Sequence, residues 1–222
     1  METINFNPQN IIFGNKKITQ RDMIVASLIT VVMGSFFIYL SHGKSLLITF
    51  LPGLACAWSM YLLMFIKKIA IPNTESFTPI FLIALATQFL HFAEEHATGF
   101  IYFFGVHYGG LPYDDNIFTS FNMVSYSLFT LGYVLGMYWN LRFLLIPVFF
   151  FICSGVLGNA IWHVLWVLET GQYQPGFYTA ILYWILAPYL LYKILGKKKY
   201  VILVISALVI VLIPLLLIFS TK

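Results

Sequence analysis

Residues 77–96 read FTPIFLIALATQFLHFAEEH, an apolar run that ends in a cluster of ionisable side chains. About 20 apolar residues in a helix are enough to cross the roughly 30 Å of hydrocarbon in a bilayer. The last six positions contain His91, Glu94, Glu95 and His96. A charged group near the bilayer centre costs at least about 2.5 to 3.5 kcal/mol on insertion scales. These side chains therefore require a partner, a proton or a metal ion.

The whole chain has the composition of a polytopic membrane protein. Of its 222 residues, 60% are hydrophobic and 9% are charged, and the mean hydropathy is +0.88. In soluble globular proteins, roughly a quarter of all residues are charged. The basic residues stand in short clusters between apolar runs, where they set membrane topology, so the net charge of +4 does not indicate nucleic-acid binding. We predict one all-α domain over residues 1–222, a transmembrane helix bundle with no nucleic-acid partner.

Apolar windows predict about seven membrane-spanning helices. Their predicted bounds are 22–40, 46–66, 77–95, 121–139, 143–167, 177–195 and 201–220. No small-residue cleavage site follows the first apolar run, so we expect a retained span and not a signal peptide. The aromatic stretch 100–108 can extend the third span, lie in the interface or re-enter the membrane, and the glycines around it favour a break.

Charged residues are distributed unevenly between the two sides of these spans. With the N-terminus inside, ten of the twelve Lys and Arg residues fall on the cytoplasmic side, and only Lys44 and Lys222 fall outside. Most acidic residues lie towards the outer side, where we expect the chemistry. Abundant Ile, Phe, Asn and Lys indicate an AT-rich bacterial genome. We therefore predict an integral protein of the bacterial plasma membrane with a cytoplasmic N-terminus.

Two polar motifs on predicted spans supply candidate site residues. On a helix, His91 has Glu94 at i+3 and Glu95 at i+4, so both carboxylates flank the imidazole. The two carboxylates differ by about 100° around the helix axis, which predicts different roles, one coordinating a cation or orienting a neighbouring group and the other moving a proton. Asn159 and His163 stand at i and i+4 and share one face of the fifth predicted span.

A tight turn follows the second motif and supplies Tyr173. The sequence Tyr-Gln-Pro-Gly at 173–176 is typical of a turn with Pro second, and this turn can cap the cavity. In the order His-x-x-Glu-Glu at 91–95, Asn-x-x-x-His at 159–163 and Tyr-x-Pro-Gly at 173–176, the chain resembles the HXXEE family of integral membrane proteins. The resemblance covers about the third to sixth helices. It implies a membrane-embedded, enzymatic protein but no particular reaction.

The predicted residue roles follow from these motifs. The predicted metal ligands are His91, Glu94, Glu95 and His163, and the predicted catalytic residues are Glu94, Glu95, Asn159 and Tyr173. Two imidazoles with one or two carboxylates suit zinc with an open position, non-haem iron or manganese, and a carboxylate-bridged two-metal site stays open as well. Asn159 is expected to orient or polarise a substrate carbonyl.

The motifs leave three functions open. The first is a metal-dependent enzyme of the hydrolase or acyl-transfer type, which acts on a membrane lipid or another amphiphilic substrate at the outer half of the membrane. The second is a proton- or cation-coupled transporter or ion-binding protein that uses the same His and Glu residues. A transport pathway needs polar groups at successive depths, whereas the inner halves of the spans are almost wholly apolar. The third is a non-catalytic assembly or immunity partner.

Overall fold

Helices make up most of the residues that the computed structural model describes, which are residues 16–221. Lys222 lies outside the described residues. The helices are α1 (Gln20–Leu40), α2 (Ser45–Ile66), α3 (Thr74–Ala97), α4 (Phe100–His107), α5 (Asp115–Met137), α6 (Leu145–Phe150), α7 (Asn159–Thr170), α8 (Phe177–Leu195) and α9 (Lys198–Phe219). A 3-10 turn, Arg142–Leu144, precedes α6, and a π-helical segment, Phe151–Gly158, joins α6 to α7. The prediction of an all-α bundle is confirmed.

Among the described residues, six helical elements are long and apolar enough to cross a membrane. They are α1, α2, α3, the continuous element Arg142–Thr170, α8 and α9. The predicted fourth span corresponds to α5, which has 23 residues but begins six residues earlier than predicted, at Asp115. The helix α5 contains several Ser, Thr and Asn residues and is not among these six. Between residues 16 and 221, seven long helices therefore form the bundle, and six of them are membrane-like by composition.

The element Arg142–Thr170, which we call the central helix, forms the core of the bundle. Of its most apolar window 89% is buried, whereas the corresponding share of α1 is 11%. It packs against α2, α3, α5, α8 and α9. Its middle turns are π-helical, so backbone hydrogen bonds run between residues five apart and the phase of the side chains shifts. Asn159 and His163 follow directly after this shift.

The connection between α3 and α5 forms one end of the bundle. The helix α3 ends before Gly99, whose φ of +84° is left-handed, and the chain re-enters a helix at Phe100. The predicted break is thus present, and the aromatic stretch forms the short helix α4. The ring of Phe103 packs against Trp166 near the end of the central helix, with centroids 5.2 Å apart. We call this end, where α3 and the central helix finish and α2, α5 and α8 begin, the site end.

The opposite end is held by Arg142. Its guanidinium donates to the carbonyl of Lys17 at 2.7 Å and lies 3.6 Å from the carboxylate of Asp22. Asp22 also completes a capping box with Thr19 at the start of α1. The start of α1 is thereby fixed to the start of the central helix.

The helix α2 approaches the π-helical segment most closely at Gly53. A Cβ atom built on Gly53 would lie 2.5 Å from Cβ of Ser154, which is buried. A side chain at position 53 would therefore push the two helices apart.

Gly53→Ala should lower the thermal stability of the protein. Overpacking costs about 1 to 3 kcal/mol, which outweighs the gain of about 1 kcal/mol in helix propensity from replacing a glycine. Gly34→Ala on α1 is the matched control, because the added Cβ would meet Leu54 at 3.6 Å, an ordinary contact. Thermal unfolding in detergent measures both variants. A Gly53→Ala variant as stable as Gly34→Ala would contradict the close approach.

Candidate metal centre

Three buried side chains meet at the site end. His91 and Glu95 come from α3, and His163 comes from α7. Nε2 of His91 lies 3.3 Å from Oε1 of Glu95, and Nε2 of His163 lies 3.4 Å from the same oxygen. The two imidazole planes are nearly perpendicular, at 89°, and both rings are fully buried. One ligand atom from each residue lies within 4.8 Å of the others, so this triad can hold a metal ion.

The two distances from Glu95 to the histidines suit metal ligands better than hydrogen bonds. A charge-assisted hydrogen bond between a ring nitrogen and a carboxylate has a length of about 2.7 to 2.9 Å. Among the described residues, neither Nε2 atom has a hydrogen-bond partner. Nitrogen and oxygen ligands lie about 2.0 to 2.2 Å from zinc, so neighbouring ligands in a tetrahedral site are about 3.4 Å apart. The distances of 3.3 and 3.4 Å match that spacing.

Thr179 on α8 fixes the tautomer of His91. Nδ1 of His91 lies 2.8 Å from the hydroxyl oxygen of Thr179. The same hydroxyl donates to Oε2 of Glu94 at 2.5 Å. Because a hydroxyl has a single proton, Nδ1 of His91 must donate to Thr179. Neutral His91 therefore has an unprotonated Nε2 facing Glu95, which is how metal-binding histidines are commonly held.

Glu94 binds the N-terminus of α8 and does not join the triad. Its Oε1 accepts from the backbone N–H of Tyr178 at 2.9 Å and from the hydroxyl of Tyr173 at 2.8 Å. Its Oε2 accepts from the backbone N–H of Thr179 at 2.8 Å and from the Thr179 hydroxyl. Gly176 occupies the N-cap position without a capping side chain, so Glu94 caps α8 from α3. Burial raises the pKa of Tyr173, which keeps its hydroxyl protonated as a donor.

These contacts separate the two glutamates that the sequence nominates together as metal ligands. The structure brings Glu95 to the two histidines, whereas the oxygens of Glu94 are occupied by four donors. Glu94 therefore positions Thr179, and through it His91. Glu94 lies outside the group of three possible ligand residues, and its contacts are those of a positioning residue.

The turn 173–176 covers the triad through Gly176. This residue has a φ of +85°, which favours glycine. A Cβ atom built on it would lie 2.6 Å from Cε1 of His163 and 2.9 Å from both Cγ of Glu95 and Cε1 of His91. His163 also interacts with the backbone of Pro175. The backbone of the turn thus packs directly on the triad, as the Tyr-x-Pro-Gly sequence predicts for a cap.

A cavity reaches the triad from the side of α5. It is lined largely by aromatic and apolar side chains, together with Glu95 and Asn159. Asn159 is buried and donates one amide N–H to the carbonyl of Gly155 at 2.9 Å. Tyr173 is not among the lining residues and is 40% exposed in the turn. Glu95 therefore connects the triad to a space that a small substrate group can occupy.

Sequence reasoning missed several polar residues around the site. Thr179 gave no signal, because one threonine in an apolar span most often bonds to its own helix backbone. Gln88 accepts from the hydroxyl of Tyr183 at 2.7 Å and donates to the hydroxyl of Tyr126 at 3.2 Å, one turn from the triad. Its position three residues before His91 was the available signal.

The chain matches no family model, no curated protein and no solved structure. The resemblance to the HXXEE family stays a prediction. Support for a function therefore comes from the geometry of His91, Glu95 and His163.

Proposed function

We propose that this protein is a membrane-embedded, metal-dependent enzyme of the hydrolase or acyl-transfer type that acts on a lipid or another amphiphilic molecule. The observation that carries the proposal is the pair of unpartnered, buried Nε2 atoms that share one carboxylate oxygen. His91, Glu95 and His163 are the proposed ligands of zinc, non-haem iron or manganese. Three protein ligands leave a coordination position open, as in catalytic sites.

The residues around the cavity have distinct proposed roles. A divalent ion bound by the triad supplies Lewis acidity towards water or a carbonyl oxygen. Asn159 uses one amide N–H on Gly155 and has a second with which to orient a substrate carbonyl. Glu95 is the one carboxylate among the residues that line the cavity. Its proposed role therefore includes taking up a proton in the cavity. The contacts of Glu94 favour positioning over the proton transfer that the sequence suggests.

The interior of the bundle favours an enzyme over a transporter. Within the described residues, polar contacts beside the triad reach Gln88 and Tyr126. Beyond them Phe151 packs against Phe81 and Phe129, with ring centroids 5.9 and 5.1 Å apart. A proton or ion pathway needs polar groups at successive depths. This aromatic packing interrupts such a series.

We also propose that the protein belongs to the HXXEE family and lies in a bacterial plasma membrane with a cytoplasmic N-terminus. The three motifs support the family. The positive-inside rule supports the orientation, since Arg142 and the Lys67–Lys68 pair lie at the end opposite to the site. The triad then lies in the outer half of the membrane.

Metal content per chain tests the proposed centre. Purified wild-type protein should carry about one equivalent of zinc, iron or manganese by mass spectrometry. The His91→Ala, Glu95→Ala double variant should carry none, because two of three ligands are gone. His96→Ala is the matched control, since His96 lies one residue from Glu95 but contacts Asp115 on the surface. Absence of metal from wild-type protein, even after reconstitution, would rule out the metalloenzyme.

Thr179→Val should weaken metal binding about 10- to 100-fold, the usual effect of removing the partner of a ligand histidine. Valine has nearly the shape of threonine but cannot accept the proton of His91 Nδ1. Thr179→Ser keeps the hydroxyl and should bind metal like the wild type. Competition with a chromophoric chelator measures both affinities. Equal affinities in the two variants would exclude the positioning role of the hydroxyl.

Gly176→Ala should abolish metal binding, because the new Cβ would displace all three ligands. Gly171→Ala is the matched control, since Gly171 also has a positive φ, +67°, but has no atom near its Cβ position within 4 Å. Both variants lose about 1 to 2 kcal/mol from left-handed backbone strain. Only Gly176→Ala should also lose its metal, as measured by mass spectrometry at matched thermal stability. Equal metal content would contradict the cap.

A further inference from the structure

A long apolar groove runs between α1 and α5 on the surface of the bundle. Within the described chain, α1 packs on α2 and on the start of the central helix and is scarcely in contact with α5. The groove extends along α1 from Val25 to Leu40, a rise of about 22 Å in a helix. That length is most of the roughly 30 Å of membrane hydrocarbon. The groove therefore follows the direction in which lipid chains lie.

The polarity of the groove changes along its length. Its polar side chains all come from α5, and two of them, Asn116 and Ser120, lie towards the site end. Towards the opposite end the wall consists of apolar residues such as Val25, Leu128 and Leu144. An amphiphile with its headgroup at the site end and its chain in the groove matches this gradient.

The groove and the cavity at the triad adjoin each other along a shared wall, which we call the neck. Six residues line both spaces, and we call them the neck residues: Leu40, Ile117, Phe121, Ser125, Phe129 and Phe150. The ring of Phe121 is half-buried and lies 6.2 Å from the ring of Phe37 and 5.8 Å from that of Phe50. Packed aromatic rings thus lie between the groove and the space that Glu95 and Asn159 line.

We infer that the groove admits the alkyl chain of a membrane lipid and that the neck passes the carbonyl next to that chain towards Glu95 and Asn159. An alkyl chain can lie in the groove and continue into the cavity, whereas a partner helix, about 10 Å wide, can cover the groove but cannot enter the neck. The substrate class is then a lipid with an ester or amide carbonyl at the headgroup end. The reaction of that carbonyl rests on the proposed function, but occupation of the groove does not.

Photolabelling in lipid nanodiscs tests this route. The probe is a phosphatidylcholine with a diazirine beside the ester carbonyl of one acyl chain. Phe104 and Trp162 report on the cavity, because both are buried and line the cavity but not the groove. Ile185 on α8, which is 74% exposed, serves as the reference for labelling from bulk lipid. Wild-type protein should be labelled at all three residues.

Two variants should change the labelling of the cavity in opposite directions. Ser125→Trp fills the neck and should lower labelling at Phe104 and Trp162 by about tenfold or more, equivalent to about 1.4 kcal/mol. Ser127→Trp is the matched control, because Ser127 is exposed on α5 and lines neither space. Phe121→Ala widens the neck and should raise the labelling. Labelling of Ile185 should stay constant in all variants.

Metal content in the same samples separates this inference from the proposed enzyme. Absence of cavity labelling in wild-type protein, or equal labelling in all variants, would overturn the lipid route. Crosslinks between two copies through α1 and α5, without cavity labelling, would also overturn it and assign the groove to a second copy. Cavity labelling in protein without metal would support the route and reject the metalloenzyme. Metal in the wild-type protein without cavity labelling would reject the lipid route and support the metalloenzyme.

Discussion

The carboxylate of Glu94 is the interaction on which the arrangement of the site depends. It joins α3 to the first turn of α8, where it accepts two backbone N–H groups that would otherwise lack partners. The same carboxylate accepts a hydrogen bond from the hydroxyl of Thr179. Since this uses the one hydroxyl proton, Nδ1 of His91 must donate to the Thr179 oxygen. One half-buried carboxylate thus fixes the position of a helix, the rotamer of a threonine and the tautomer of a proposed ligand.

His163 reaches His91 and Glu95 for a different reason, which lies in the central helix. The π-helical turns before Asn159 shift the phase of the side chains that follow. The turn before α8 then returns over the same spot, where Gly176 allows backbone to pack on three side chains at once. Because α8 begins at this turn, the cap of the candidate metal centre and the start of the helix that supplies Thr179 are set by one short segment.

The sequence predicts the helices and most of the site residues. It does not predict which of the two glutamates faces the histidines and which binds the start of α8. Hydropathy locates the long apolar helices, since burial in lipid demands them. The spacing of Glu94 and Glu95 predicts that they face different directions, yet which one faces His163 depends on where α8 lies. The start of α5 at Asp115 was missed because the polar residues of its first turns carry no apolar signal, although Asp114 caps them. The π-helical segment was missed because its residues are as apolar as those of a regular span.

The cost of burying charge distinguishes the two glutamates and explains why a cation is expected beside one of them. Glu94 is compensated by four hydrogen bonds and by the positive end of a helix dipole. Glu95 is 6% exposed and instead faces two ring nitrogens. An uncompensated buried carboxylate costs several kcal/mol, and the unprotonated Nε2 of His91 cannot compensate it, because its lone pair repels the carboxylate oxygen. Protonated imidazoles would draw the oxygen in to about 2.7 to 2.9 Å. The longer separations leave room for a positive ion among the three atoms, and a bound cation is the compensation that we propose for Glu95.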